Sequence, residues 1–288
     1  MTRGRGIALL LLTTLIWGTT FPGNKVASGF LSAPQIVCLR FGIAALVLSP
    51  WLRRATARTL RDGALTGLLA VTSYVTFVLG IRTTTGTRAG FLIGLNVVLV
   101  PLAMPLLGRH LSGRSMAGAA LAFAGLAVLA LQFGSLSLSH GDLWVLGSAT
   151  AFAAYVLVMD ARVHGHDALA LSAVQLLAAF IVSATWAAIV DDPWPSLLGS
   201  RTWVVVYLGL VATALPTWAQ VLGQRVVPPT QASIIYALEP VFAALCSAIW
   251  LGERLGARDA IGGSLILGGT LVCLAPWPAD RTTATAAP

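Results

Sequence analysis

Residues 87–129 read TRAGFLIGLNVVLVPLAMPLLGRHLSGRSMAGAALAFAGLAVL, and residues 230–273 read TQASIIYALEPVFAALCSAIWLGERLGARDAIGGSLILGGTLVC. Each stretch contains two apolar runs joined by a short linker that carries arginine. With one gap the two stretches align, and polar and glycine positions match as well as apolar ones. The matches are Thr87 with Thr230, Ala89 with Ala232, Leu95 with Leu238, Val98 with Val241, Gly108 with Gly252, Leu111 with Leu255, Arg114 with Arg258, Gly118 with Gly262 and Gly125 with Gly269. We therefore interpret them as two copies of one unit.

The composition places the whole chain in a membrane. Of its 288 residues, 57% are hydrophobic and 10% are charged, whereas a soluble domain carries about 25% charged residues. So few charged residues cannot make a chain with this much apolar surface soluble in water. The composition therefore excludes a soluble enzyme. The net charge of +8 comes from arginines in short linkers, so it does not indicate nucleic-acid binding. No GxxxxGK[S/T] phosphate loop occurs, so an ATP-driven pump would need a second chain.

Ten apolar segments have the length of membrane-crossing helices, which is about 20 residues. They cover residues 6–22, 33–51, 63–81, 89–107, 115–132, 142–160, 168–190, 203–222, 229–251 and 259–275. The runs are continuous rather than alternating, which favours helices over a barrel. The first run follows basic residues as in a signal peptide, but no small-x-small cleavage site closes it, so we interpret it as a retained helix. The predicted fold class is an all-α integral membrane protein with ten transmembrane helices.

The internal repeat predicts how these helices are arranged. The unit comprises five helices, and because five is odd the second copy must enter the membrane from the opposite side. The result is an inverted five-plus-five repeat, a frequent plan of secondary transporters. The predicted domains are a first five-helix repeat over 1–135, a second over 136–276, and a polar, disordered tail over 277–288.

The distribution of basic residues predicts the orientation, because Lys and Arg are enriched in cytoplasmic linkers. With a cytoplasmic N-terminus, eleven basic residues fall inside and six outside, while Arg40 lies within a span. The densest basic linker, RRATARTLR at 53–61, then falls inside. We expect a multi-pass protein of the cell membrane (plasma or inner) with both termini cytoplasmic.

Four motifs occur in order along the chain: WGTTFP at 17–22, LRFGIAALVLSP at 39–50, TRAGFLIGLN at 87–96 and ALEPVFAALCSAIWLGERL at 237–255. Together they resemble one family, the EamA type of the drug/metabolite transporter superfamily. The resemblance covers nearly the whole chain apart from the tail. It implies the ten-helix inverted fold, with 1–135 and 136–276 as EamA-like repeats, and transport of small organic metabolites, often export of amino acids or related compounds. One departure is Val97, which follows Asn96 where the family pattern expects Asn-Pro, and this leaves the position of a helix break open.

Two ionisable side chains lie inside apolar spans. At about 1.5 Å per residue, Arg40 lies roughly 10 Å below the outer boundary, and Glu239 lies near the middle of the ninth span. A charge at the bilayer centre costs about 2.5–3.5 kcal/mol on insertion scales, so both should face the bundle interior or water. Arg40 is a candidate for binding an anionic substrate group such as a carboxylate. The alternatives for Arg40 are snorkelling or a structural ion pair.

Glu239 is a candidate for proton coupling. A carboxyl group held away from water favours its protonated form, so it can take up and release a proton near neutral pH. The alternatives are that Arg40 neutralises Glu239 or that Glu239 caps a broken helix.

Further polar and aromatic side chains are candidates for a substrate pocket near the midplane. They are Trp17, Tyr74, Asn96, Tyr155, Gln175, Gln220 and Tyr236. In the repeat Asn96 matches Glu239, and Arg40 matches Gln175, so such pairs could line a cavity related by pseudo-symmetry. The alternatives are ordinary interhelical hydrogen bonds for the amides and simple packing for the aromatic rings.

Four prolines within the spans predict helix kinks, namely Pro22, Pro101, Pro216 and Pro240. A proline lacks an N–H and leaves the carbonyl four residues before it without its helical partner. For Pro216 this carbonyl belongs to Ala212, and for Pro240 it belongs to Tyr236. Kinks in several corresponding helices favour a central pathway, although a single kink is common in membrane helices.

Other residue types point away from metals and cofactors. The three cysteines form no CxxC spacing and no HExxH occurs, so we expect no disulfide framework, no metal and no cofactor. His164 and His166 are expected to be solvated loop residues. Glycines such as Gly118, Gly125 and Gly262 predict close helix packing, and the oligomeric state stays open between monomer and homodimer.

The leading hypothesis is a secondary transporter rather than an enzyme. It would move a small organic metabolite, an amino acid or related compound, by alternating access, with export implied by the resemblance and a proton gradient as the drive. The expected partners are that substrate, the lipid bilayer and protons, with no nucleic acid. Two alternatives stay open: an integral-membrane lipid-modifying enzyme, for which Asp191-Asp192 is the only acidic doublet, and a non-transport membrane interaction protein.

Overall fold

The computed structural model of the chain describes residues 1–84, 86–130, 139–190, 193–194, 202–251 and 255–275. Every regular element in these ranges is a helix, and seven helices there are long and apolar enough to cross a membrane. The predicted class, an all-helical membrane protein, is confirmed for the described residues. Asp191-Asp192, Gly252 and the predicted tail at 277–288 lie outside the described residues.

Thirteen α-helices follow one another in the described part of the chain. The first six are α1 (Arg3–Ala27), α2 (Ala33–Leu48), α3 (Ala57–Ile81), α4 (Gly86–Gly94), α5 (Asn96–Ala103) and α6 (Gly113–Ala130). The other seven are α7 (His140–Arg162), α8 (Ala168–Val190), α9 (Thr202–Gly209), α10 (Leu215–Gln224), α11 (Pro229–Tyr236), α12 (Glu239–Leu251) and α13 (Ala257–Leu274).

Capping side chains determine where two of these helices begin. At the start of α3, Thr56 Oγ1 accepts a hydrogen bond from the Thr59 N–H at 3.2 Å. Ser139 Oγ accepts from the Asp142 N–H at 3.2 Å, and Asp142 Oδ2 accepts from the Ser139 N–H at 2.7 Å. This reciprocal capping box satisfies two N–H groups that the helix itself leaves free. It also fixes Asp142, which is fully buried, in the first turn of α7.

Two predicted spans are interrupted beside a proline. In the span predicted at 203–222, a π-helical turn at Leu210–Ala214 separates α9 from α10, and Pro216 is the second residue of α10. In the span predicted at 229–251, α11 ends at Tyr236 and α12 begins at Glu239, directly before Pro240. Because a proline cannot donate to the preceding turn, the helix widens or stops there.

The span predicted at 89–107 is interrupted at Leu95, between α4 and α5. Asn96 Nδ2 donates to the Ile93 carbonyl at 2.8 Å, a side-chain bond that competes with the helical pattern. Pro101 lies inside α5, downstream of the break. Pro22 lies inside α1, which continues to Ala27.

Facing glycines bring three pairs of helices into backbone contact. A methyl group at Gly125 of α6 would lie 2.5 Å from the Gly262 carbonyl oxygen of α13, and one at Gly118 would lie 2.7 Å from the Gly269 oxygen. Such spacing leaves no room for any side chain, so the predicted close packing of these helices is present. A methyl group at Gly141 would likewise lie 2.6 Å from the Gly80 oxygen, which joins α7 to α3. The contact between Gly6 of α1 and Gly223 of α10 is looser, since a methyl group at Gly6 would lie 3.2 Å from the Gly223 oxygen.

Candidate functional site

Helices α7, α8, α10 and α11 enclose a buried group of hydrogen-bonded side chains, which we call the amide cluster. It consists of Tyr155, Gln175, Gln220, Gln224 and Tyr236. Gln175 Nε2 donates to the Tyr155 hydroxyl at 2.9 Å, and that hydroxyl donates to Gln220 Oε1 at 3.0 Å. Gln224 Nε2 donates to the Val156 carbonyl at 3.0 Å. All five side chains are almost completely buried.

Two atoms of the amide cluster have no hydrogen-bond partner in the described part of the chain. They are Oε1 of Gln175, an acceptor, and Nε2 of Gln220, a donor. They belong to the two carboxamides whose other polar atoms bond to the Tyr155 hydroxyl. A buried polar atom without a partner costs about 1–3 kcal/mol. A ligand that supplies both partners would recover this energy.

Aromatic rings border the amide cluster, and we call them the aromatic cluster: Trp17, Phe152, Tyr155 and Tyr236. The Trp17 ring lies 5.5 Å from Tyr236 and 6.0 Å from Phe152, measured between centroids. Phe152 lies 5.9 Å from Tyr155 and 5.7 Å from Tyr236. These distances are in the range of favourable aromatic pairs. The rings form an apolar wall next to the unpartnered amide atoms.

Arg40 lies in a second polar group, formed by α2, α3 and the π-helical turn. Its Nε donates to Thr213 Oγ1 at 2.5 Å, its Nη2 donates to the Ala212 carbonyl at 2.9 Å, and its Nη1 donates to the Tyr74 hydroxyl. The guanidinium also lies over the Tyr74 ring, 4.9 Å from the centroid. The Ala212 carbonyl is the group that Pro216 leaves without its helical partner, so Arg40 satisfies it.

Glu239 is the first residue of α12, directly after the helix break, and its side chain is partly buried. None of the ion pairs within the described ranges joins Glu239 to Arg40. Asn96, the repeat match of Glu239, is buried, and its Oδ1 has no partner among the described residues.

The structure thus brings the predicted residues together in two groups. Tyr155, Gln175, Gln220, Tyr236 and Trp17 meet in or beside the amide cluster, and Arg40 meets Tyr74. The sequence analysis missed three members, namely Phe152, Gln224 and Thr213. The sequence does contain a signal for two of them, which is their helical spacing from predicted residues. Phe152 lies three residues before Tyr155, and Gln224 lies four residues after Gln220. Such spacings place side chains on one helix face.

His166 lies in a third polar group, and its predicted solvation is wrong. His166 is 8% exposed, whereas its neighbour His164 is exposed as expected. Gly165 adopts the left-handed conformation, with φ of 82°, which an ordinary residue rarely adopts. This turn directs the His166 ring inward, where Nε2 lies 3.1 Å from Asp62 Oδ2 and Nδ1 lies 3.0 Å from Thr59 Oγ1.

Comparison with known proteins relates both halves of the chain to one family. The family model of the EamA-like transporter family matches residues 4–131 and residues 139–275. An uncharacterized transporter of Archaeoglobus fulgidus is 29% identical over 261 residues, which cover 90% of this chain and 82% of the relative. The uncharacterized transporter YwfM of Bacillus subtilis is 31% identical over 150 residues, which cover 51% of this chain and 49% of that relative.

Two further similarities extend over nearly the full length. A probable terminal-alkyne amino-acid exporter of Streptantibioticus cattleyicolor is 25% identical over 283 residues, which cover 94% of each chain. A crystal structure with 21% identity superimposes with a TM-score of 0.79 and covers 95% of this chain and 97% of that one. This structural likeness concerns the fold alone.

Proposed function

Because the chain belongs to the EamA-like transporter family, we propose that it carries a small organic metabolite across the cell membrane by alternating access. The substrate class that we propose is an amino acid or a close relative, with export as the direction. The observation that carries this proposal is the pair of unpartnered amide atoms beside the aromatic cluster, inside the fold of a transporter family.

The proposed architecture is the ten-helix inverted repeat, and the glycine contacts support it. In the alignment of the repeats, Gly118 corresponds to Gly262 and Gly125 to Gly269. The observed contacts join Gly118 to Gly269 and Gly125 to Gly262. Exchanging the two repeats turns one contact into the other, as a two-fold axis between α6 and α13 requires.

A second pair of contacts supports the same symmetry. Gly80 corresponds to Gly223, and the offset that relates Arg40 to Gln175 also relates Gly6 to Gly141. The contact between Gly80 and Gly141 therefore corresponds to the contact between Gly223 and Gly6, and both are present. With an odd number of helices per repeat, this symmetry inverts the second half.

The amide cluster fits a zwitterion. An α-ammonium group donates hydrogen bonds and would pair with Gln175 Oε1, and an α-carboxylate accepts them and would pair with Gln220 Nε2. The aromatic cluster offers an apolar wall for the side chain of the same molecule. Three of the five N–H groups of Arg40 are engaged. We propose that its charge and its two remaining N–H groups support the carboxylate of the substrate. The name of the Streptantibioticus relative agrees with this substrate class.

The proposed drive is a proton gradient, with Glu239 as the proton-binding group. Its carboxylate makes no hydrogen bond with the described residues and lies at the break between α11 and α12. A carboxylate that no donor holds in its ionised form can take up a proton when it is removed from water. The position at a broken helix supports this role, because transporters place ion sites where helices are interrupted.

The test is flux through proteoliposomes loaded with a mixture of amino acids, with and without a pH gradient. Gradient-driven flux is expected for the wild type and is expected to be lost in Glu239→Gln, which keeps the shape of the side chain but cannot ionise. Glu253→Gln is the matched control, because Glu253 lies between the ninth and tenth predicted spans, and it should retain this flux. Unchanged gradient-driven flux in Glu239→Gln would reject the proton site. Absence of flux of every amino acid in the wild type would reject the substrate class.

A further inference from the structure

Helices α3 and α7 come from different repeats, yet they are tied to each other at three levels. They run antiparallel, so the start of α3 meets the end of α7, and the end of α3 meets the start of α7. We call these contacts the Asp62 end, the serine level and the Asp142 end. Each level contains buried polar groups that would lose their partners if the two helices separated.

At the Asp62 end, a carboxylate of α3 is held by groups at the end of α7. The Asp62 side chain is 1% exposed, and its oxygens lie 3.5 Å from Arg162 Nη1 and 3.1 Å from His166 Nε2. Arg58 and Arg61 of α3 also contact this carboxylate from its solvent side. Separation of the helices would remove the Arg162 and His166 contacts from a carboxylate that is otherwise buried.

At the serine level, two hydroxyl groups bind each other's backbone. Ser73 Oγ donates to the Ser148 carbonyl at 3.1 Å, and Ser148 Oγ donates to the Ser73 carbonyl at 2.7 Å. The two oxygens lie 3.1 Å apart, and both residues are buried. Such reciprocal bonds require close approach of the two backbones, so a small separation breaks both.

At the Asp142 end, the arrangement of charges is reversed. Here the buried carboxylate belongs to α7, and its partners follow α3 in the first repeat. Asp142 lies 2.6 Å from Thr84 Oγ1 and 2.8 Å from Arg88 Nη2. Directly beside it, Gly80 and Gly141 are in backbone contact.

The repeat-related pair, α1 and α10, lacks these ties. The positions that correspond to Ser73 and Ser148 are Pro216 and Thr13, and the single bond there runs from Thr13 Oγ1 to the Pro216 carbonyl at 3.5 Å. None of the ion pairs in the described ranges joins α1 to α10. The two helices pack through Gly6 and Gly223 and are otherwise joined by apolar contacts.

Between the two pairs, two neutral hydrogen bonds join α7 to α10, namely the bond from Gln224 Nε2 to the Val156 carbonyl and the bond from the Tyr155 hydroxyl to Gln220. Past the ends of the two helices, Arg225 Nη2 donates to the His166 carbonyl at 2.5 Å, and His164 Nε2 lies 3.1 Å from the Arg225 carbonyl. One charged donor therefore crosses this surface, and its partner is a backbone carbonyl and not a carboxylate. The two neutral bonds belong to the amide cluster. Neutral bonds cost less to break than buried carboxylate contacts, since hydrogen bonds to charged groups are roughly twice as strong.

We propose that α3 and α7 move as one body during transport, and that the surface along which the protein opens runs between α7 and α10. The moving bodies therefore do not coincide with the two sequence repeats. This inference rests on the proposed transport function and specifies which contacts persist through the transport cycle.

The test is a reversible cross-link between the serines. In a background in which Cys38, Cys246 and Cys273 are replaced by serine, Ser73→Cys and Ser148→Cys are introduced together and oxidised in proteoliposomes. Protection of both thiols from a maleimide-linked polymer shows that the bridge has formed. The oxidised protein is expected to retain most of the amino-acid flux of its reduced form. Loss of flux on oxidation, restored by a reductant, would overturn the proposal.

The matched cross-link lies across the proposed opening surface. His164→Cys and Arg225→Cys follow α7 and α10 at positions whose native residues are hydrogen-bonded. Bridged with a short bis-methanethiosulfonate reagent, they are expected to lose flux, and a reductant should restore it. Flux that persists with this bridge in place would also overturn the proposal. Because each reduced form is its own reference, absence of flux in the reduced forms and in the wild type counts against the transport function instead.

A distance measurement tests the same inference without a transport assay. Spin labels are placed at Leu60 of α3 and Leu143 of α7, which are 50% and 55% exposed and lie at opposite ends of the pair. Double electron–electron resonance is expected to give one distance population at pH 5 and pH 8, in the absence and presence of amino acids. A second population for these labels under any of these conditions would overturn the proposal.

Discussion

At the scale of single residues, Arg40 combines two roles. It satisfies the carbonyl of Ala212, which Pro216 leaves free, and in the proposed function its charge supports the substrate carboxylate. A sequence that contains a proline in a buried helix needs such a donor elsewhere, because an unpartnered carbonyl inside the membrane is costly. In this protein the donor comes from another helix, α2.

Replacing Arg40 by methionine should therefore reduce both stability and affinity. The loss of the hydrogen bond to the Ala212 carbonyl is expected to lower the free energy of unfolding by about 1–3 kcal/mol. Thr213→Val is the control, because it removes one Arg40 contact and keeps the bond to Ala212, so its loss should be smaller. Thermal unfolding in detergent measures the first effect, and the KM for amino-acid flux measures the second. A lower stability with an unchanged KM would restrict Arg40 to its structural role.

Asp167 provides a pH-dependent contribution outside the membrane-spanning helices. Its Oδ1 accepts from the Ala170 N–H at 3.0 Å at the start of α8, and Arg54 Nη1 lies 3.4 Å from Oδ2. The backbone hydrogen bond from Ala170, together with a second from Leu169 and the charge of Arg54, lowers the pKa of this carboxyl group. A lowered pKa in the folded state means that ionised Asp167 favours folding.

The contribution of the Asp167 charge should be present above the unfolded pKa of about 3.9 and should be lost as the pH falls through the lower folded pKa. Asp167→Asn keeps a capping side chain but removes the charge. The melting temperature of the wild type should therefore exceed that of the variant at pH 7, and the difference should shrink as the pH falls below about 4. A difference that does not change with pH would contradict this explanation.

At the scale of helices, the contact between α6 and α13 depends on glycine at specific positions. Gly125→Ala would place a methyl group 2.5 Å from the Gly262 carbonyl oxygen, so the helices must move apart. Overpacking of this kind costs about 1–3 kcal/mol, and we expect a lower melting temperature.

Gly268→Ala is the matched control, because nothing lies within 4 Å of the added methyl group. Alanine favours a helix over glycine by about 1 kcal/mol, so this variant should melt at the same temperature as the wild type or higher. Equal melting temperatures for Gly125→Ala and Gly268→Ala would show that the observed glycine contact contributes nothing.

At the scale of the whole molecule, the all-helical membrane fold is predictable because continuous apolar runs have few alternatives in a bilayer. The helix breaks are less predictable. Pro216 and Pro240 mark two of them, but the break at Leu95 precedes Pro101 and follows from an Asn96 side-chain bond. Local sequence does not reveal whether an amide will bond to its own backbone or to another helix.

The candidate site was predictable to the same extent. Polar and aromatic residues inside apolar runs, such as Tyr155 and Gln220, are visible in the sequence because their presence there is costly. The position of His166 was not, because its burial depends on the turn at Gly165 and on Asp62, which lies 104 residues earlier. Contacts at such sequence separation are set by packing.

The separation between Asp62 and His166 also determines the order of events during synthesis. At about 5–20 residues per second, the ribosome adds the intervening 104 residues in roughly 5 to 20 seconds. For most of this interval α3 has been synthesised, while Arg162 and His166, which contact Asp62 in the folded protein, have not. During this time Asp62 has only Arg58 and Arg61 of its own helix as ionic partners. The connection between the two repeats at Asp62 can therefore form only after the end of α7 has been translated.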